Sequence, residues 1–147
     1  MPKGKGKKGV RSSAFRAVSN NTDQQITSAR ELTKVQYPVE QLDINNEYNP
    51  VTSTFTPRQN GIYSIIASIL ASPVAAQTFI ELRIFVNGEP GVGVFENITG
   101  VLGSISVSTN LQLQVGDTVE VFVGGIPTPF FIESDPDFTH FEATRIG

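Results

Sequence analysis

The residue in this chain best suited to move a proton near neutral pH is its single histidine, His140. Nucleophilic catalysis of the serine type needs a histidine beside a reactive serine, with an acid to orient the ring. His140 instead stands in Phe138-Thr139-His140-Phe141, an apolar alternating stretch where a packing or interface role is expected. Glu133, Asp135 and Asp137 crowd one loop. Calcium takes several oxygens at once, and their order does not match a calcium loop, so a solvated acidic loop is expected. Gly100 to Gly103 lacks the Gly-Lys-Ser/Thr end of a phosphate loop. Cysteine is absent, which removes disulfides and thiolate metal sites. The expectation is therefore no catalytic constellation, no metal and no cofactor.

The strongest charge feature lies elsewhere. Lys3, Lys5, Lys7, Lys8 and Arg11 put five of the 11 basic residues at the start of the chain. The remainder carries six basic against 14 acidic residues, a net charge of −8 beneath an overall −3. A basic arm over residues 1–11, alternating Lys with Gly, has almost nothing to bury. It suits docking on an acidic protein surface or on nucleic acid. No recognition helix and no aromatics interleaved with the basic residues are present to read bases.

The elements that must position these residues are strands. The 147 residues are 39% hydrophobic, enough for one domain that buries roughly 70% of its unfolded surface. In Gly61 to Ala71, Tyr63, Ile65, Ala67 and Ile69 fall on one face, and Ile62, Ser64, Ile66, Ser68 and Leu70 on the other. Neither face carries a charge, which predicts a central strand covered once by its own domain and once by something else. Thr78 to Val86 alternates Ile80, Leu82, Ile84 and Val86 inward with Phe79, Glu81, Arg83 and Phe85 outward. Asn87-Gly88 is a two-residue hairpin signal, with Gly91 to Phe95 returning. In Ser104 to Leu113, Ser104, Ser106, Ser108 and Asn110 form a polar row opposite Ile105, Val107, Thr109, Leu111 and Leu113. Val115-Gly116-Asp117 turns into Thr118 to Val123, and Asp137 to Ile146 reads as a last strand. Shorter strands are expected at Ser13 to Val18, Gln25 to Thr27, Lys34 to Tyr37 and Val51 to Phe55. Eight to ten short strands without a helix predict an all-β sandwich or barrel over residues 12–147.

The ordered signals resemble the jelly-roll family of the complement globular head and the tumour necrosis factors. They are Ala14-Phe15, Tyr48-Asn49, Thr52, Phe55, Gly61-Ile62-Tyr63, Asn87-Gly88, Leu-X-Leu-X-X-Gly-Asp from Leu111 to Asp117, and Phe138-Thr139-His140-Phe141. His140 departs from the Gly usual in that family. The resemblance implies a ten-stranded jelly-roll sandwich in a tight homotrimer, with Ser64, Ile66, Ser68, Ser106, Ser108, Phe138 and His140 turned to the three-fold axis.

The expected function is that of a non-enzymatic structural or interaction module, a trimer held by its basic arms on a larger assembly. A virus or phage capsid decoration protein is the concrete version. The alternatives are a complement-head-like ligand-binding module, a spore-surface protein, and a small capsid protein whose arm binds nucleic acid. The start of the chain lacks the apolar segment of a signal peptide, and no apolar run is long enough to cross a bilayer. Cytoplasmic synthesis and residence on a virion or other particle surface are expected, with no membrane partner.

Overall fold

The structure, a computed structural model, describes residues 11–147. Among the described residues there is no helix, and the chain forms thirteen β-strands. They are β1 (Ala14–Val18), β2 (Gln24–Ile26), β3 (Thr33–Lys34), β4 (Val39–Asp43), β5 (Tyr48–Asn49), β6 (Thr54–Phe55), β7 (Gly61–Pro73), β8 (Thr78–Val86), β9 (Glu89–Ile98), β10 (Gly103–Leu113), β11 (Val119–Ile126), β12 (Phe130–Ile132) and β13 (His140–Arg145). The jelly-roll sandwich is thus delivered in more pieces than ten, because several strands are only two or three residues long.

Seven strands form one antiparallel sheet in the order β2, β12, β7, β13, β1, β4, with β10 along the other side of β7. Six form the second, in the order β5, β6, β11, β8, β9, with β3 against β11. β7 is the longest strand at 13 residues. Its whole length from Gly61 to Ala71 is paired with β10. On its other side β13 takes Tyr63 to Ser68, and β12 takes Ala71 to Pro73.

Alternation decides which side chains face inward. Tyr63, Ile65, Ala67 and Ile69 are fully buried, as are Ile80, Leu82 and Ile84 on β8 and Val119, Val121 and Val123 on β11. Each large aliphatic among them contributes about 1.5–3 kcal/mol relative to exposure. Val86, expected in this set, stays half-buried at the rim because the chain turns there into Asn87-Gly88. Phe15 stacks on Tyr48 with ring centroids 4.7 Å apart and meets Phe141 edge-on at 5.0 Å, closing one end of the sandwich. Buried Tyr48 donates to the Tyr37 carbonyl at 2.7 Å, and Tyr37 to the Ser68 carbonyl at 3.2 Å. Burial pushes both phenols above their ordinary range, so they remain donors.

The turns hold the register. Asn87 and Gly88 both have positive φ, 53° and 78°, as a hairpin turn of this length requires. Asn87 also accepts from the Thr118 amide at 2.9 Å and donates to Asp117 Oδ1 at 3.1 Å, tying this turn to the one between β10 and β11. The Gln114 amide, 2.8 Å from Asp117 Oδ2, and the Asn87 amide hold the Asp117 carboxyl below the usual carboxylate range.

The last strand begins later than expected. Residues before His140 form a turn in which the Phe138 and Thr139 amides donate to the Asp135 carbonyl at 3.0 and 2.7 Å. Phe138 sits in that turn, 46% exposed, rather than on the strand. Asp135 Oδ1 also accepts from the Asp137 amide at 3.0 Å, so Pro136 and the acidic cluster favour a closed loop over an extended chain.

Candidate functional site

The outward residues of the seven-stranded sheet are brought into register rows. Ser106, Ser68, His140 and Val18 lie side by side across β10, β7, β13 and β1. The next row runs Ser108, Ile66, Glu142, Arg16 and, on β4, Leu42. The third runs Asn110, Ser64, Thr144 and Ala14. Six of the residues expected at the axis, Ser64, Ile66, Ser68, Ser106, Ser108 and His140, therefore share one face. Phe138 stands beside it, in the turn that leads into β13.

No outward side chain of β7 or β10 is charged. Ser68 is 4% exposed, and Ser106 Oγ donates to Ser68 Oγ at 3.0 Å, so this buried hydroxyl is satisfied. Charge begins only at β13 and β1, and there it is paired. Glu142 Oε2 lies 2.6 Å from Arg16 Nη1 and 2.8 Å from His140 Nδ1. The His140 approach lies off the line of a hydrogen bond, so Nδ1 sits beside the Glu142 carboxylate without a hydrogen-bond partner. Arg16 also donates to Gln41 Oε1 at 2.9 Å and to the Pro136 carbonyl at 3.2 Å, linking β1 to β4 and to the acidic turn.

The triplet Ser68, His140 and Glu142 has the residue types of a serine hydrolase site without its connectivity. Ser68 is buried and its hydroxyl is engaged with Ser106, and no hydrogen bond joins it to the imidazole. In the acidic turn, Glu133 Oε2 accepts from Ser72 Oγ at 2.5 Å, and Asp135 is occupied by its own turn. Among the described residues, no group of three or more His, Asp or Glu side chains is placed to share a metal ion.

Lys3, Lys5, Lys7 and Lys8 lie outside the described residues. Arg11, expected in the same arm, is fastened to the body. Its amide donates to Gln59 Oε1 at 3.2 Å, its carbonyl accepts from Gln59 Nε2 at 2.7 Å, and its guanidinium reaches Asn45 Oδ1 at 3.1 Å. Next to it, Glu47 is 5% exposed yet fully used: it accepts from Ser13 Oγ, from the Arg58 amide at 2.7 Å and from Asn45 Nδ2 at 3.3 Å. Sequence reasoning passed over Arg16. The available signal was its outward position on the first strand, facing a last strand whose outward residues include an acid.

The arrangement defines a class: a jelly-roll sandwich with one broad uncharged outer face. No protein-family model matches the chain, and no curated protein sequence matches it. Among solved structures it is similar to the globular domain of zebrafish complement 1qA protein, at 18% identity and a TM-score of 0.65, covering 92% of this chain and 98% of that one. It is similar to murine APRIL at pH 5.0, at 16% identity and a TM-score of 0.68, covering 92% and 100%. Eiger TNF from S. frugiperda gives 11% identity and a TM-score of 0.64, covering 93% and 94%. The fold is the jelly roll shared by complement globular heads and tumour necrosis factor-like domains.

Proposed function

We propose that this protein is a non-enzymatic interaction module that works as a homotrimer. The observation that carries this reading is the uncharged outer field of β7 and β10, bordered by a self-neutralised Arg16–Glu142–His140 cluster. Such a field loses water cheaply, because no ion has to be stripped of its hydration. Ser64, Ile66, Ser68, Ser106, Ser108 and His140 face the symmetry axis, and Phe138 closes its rim. The fold neighbours support a module of this kind.

The trimer sits on a larger particle as a capsid decoration protein, and its basic N-terminal segment docks on an acidic surface of the coat. The opposite signs of segment and body support this, since a free module gains little from such an asymmetry. Chain synthesis is cytoplasmic and the protein resides on the particle surface.

Size exclusion with light scattering tests the oligomer, and three times the 15.9 kDa chain mass is expected. Deleting residues 1–10 tests the attachment. The truncated protein should keep its mass and melting temperature but lose occupancy on its assembly. Unchanged occupancy would remove the docking role from the basic segment.

A further inference from the structure

The opposite side of the sandwich, the outer face of the six-stranded sheet, carries a second surface. Phe79 on β8 and Phe95 on β9 stand there 51% and 75% exposed. β11 passes beside them with Gly124, where an added Cβ would come within 2.9 Å of Leu32 Cδ2 and 3.0 Å of the Glu31 carbonyl. The missing side chain lets the segment ending in Leu32 lie down on the sheet. The result is a groove with Leu32 on one side and Phe79 and Phe95 on the other. A second hollow adjoins it, and the two share Arg30, Phe79 and Ile126.

Two charged side chains line the groove, Arg30 and Glu81. Glu81 is taken by Arg83, at 3.0 Å. Arg30, exposed at the junction of the hollows, makes no ion pair among the described residues. It also holds a positive φ of 67°, a conformation that long side chains rarely adopt and that clusters at functional positions.

We propose that this groove docks an extended protein segment in which an aromatic side chain neighbours a carboxylate. The ring enters between Leu32 and the two phenylalanines, where aromatic pairs gain beyond burial alone, and the carboxylate pairs with Arg30. The chain's own Lys3, Lys5, Lys7 and Lys8 have the wrong sign for this site. The inference stands whether or not the protein is a trimer, since it uses the other sheet.

The test is fluorescence anisotropy of the full chain with three labelled peptides, Gly-Ser-Asp-Phe-Asp-Ser-Gly and its Lys-Phe-Lys and Asp-Ala-Asp counterparts. The Asp-Phe-Asp peptide should bind at least about tenfold more tightly than either counterpart, and its affinity should fall with added salt. Phe79→Ala and Arg30→Gly should each weaken it about tenfold or more. The glycine accepts the positive φ, so that variant removes the charge while keeping the turn, and an unchanged or raised melting temperature confirms it. Equal binding of all three peptides, no binding, or no effect of Phe79→Ala would overturn the proposal. So would a drop in light-scattering mass on Phe79→Ala, which would make the groove a contact between copies.

Discussion

On the seven-stranded sheet the outward positions of β7 and β10 are serines, Asn110, Gln112, Ile62, Ile66 and Leu70. On the six-stranded sheet the outward positions of β8 and β11 include Phe79, Glu81, Arg83, Phe85, Glu120 and Phe122. Both sets obey the same alternation, yet they differ in the cost of losing water. The second face carries ion pairs, Glu81 with Arg83 at 3.0 Å and Lys34 with Glu120 at 2.6 Å, which are most favourable left wet. The first has no ion to strip of water, and its Ser68–Ser106 pair already supplies its own hydrogen bond, so it costs less to dehydrate. The first therefore suits a broad lasting contact, and the second a local reversible one confined to its groove.

The sharpest way to break this contrast is to charge one face at a time. Ile66→Asp should dissociate the proposed trimer, because each buried unpaired carboxylate costs several kcal/mol. Phe95→Asp, on the other face, should leave the mass unchanged. Light scattering reads both, and a trimeric Ile66→Asp protein would show that the wrong face was chosen. A smaller effect is expected from Gly124→Ala, which should lower stability by about 1–3 kcal/mol as Leu32 and the Glu31 carbonyl are forced away. Denaturant unfolding measures it, and the loss should leave the oligomer intact.

The border of the first face sharpens the comparison further. There the Glu142 carboxylate lies against the Arg16 guanidinium and beside the His140 ring. Glu142→Gln leaves the Arg16 charge unpaired at the edge of the face, so the proposed trimer should dissociate at a higher protein concentration than the parent. Light scattering over a dilution series measures it, and coincident curves for parent and variant would place this border outside the contact. The smallest effect belongs to the turn at Asp117. Its carboxyl is held below the ordinary range, so its contribution is present above the unfolded value and disappears as pH falls through the folded one. Asp117→Asn should cost less than about 1 kcal/mol at pH 7 for a group so little desolvated, and progressively less as pH falls below the unfolded carboxylate range, by thermal melting.

The long strands were legible because their alternation is local: β7, β8, β10 and β11 declare their inner and outer residues directly. β4 was missed since Val39 to Asp43 lies on an edge with its residues largely exposed, leaving no two-sided pattern. β12 lies among prolines and becomes a strand where β7 outruns β13, pairing with Ala71 to Pro73 on one side and with β2 on the other. Phe138 was placed on the last strand by period, but the Asp135 turn won locally. The uncharged outer face of the seven-stranded sheet could be assembled from the sequence, since period two picks its members. The groove could not: Arg30 and Leu32 sit in a connecting segment, and only the packing over Gly124 brings them to Phe79.

The grip of Gln59 on Arg11 has a mechanical consequence. One side chain holds both main-chain polar groups of Arg11, as a neighbouring strand would, so the basic segment has a fixed pivot. Residues 1–10 can reach no further than about 35 Å from it, at roughly 3.5 Å per residue. In the proposed trimer, three such tethers would leave from three fixed points. Only a surface offering acidic patches within that radius could be held by all of them at once, and there each engaged tether would raise the effective concentration of the next.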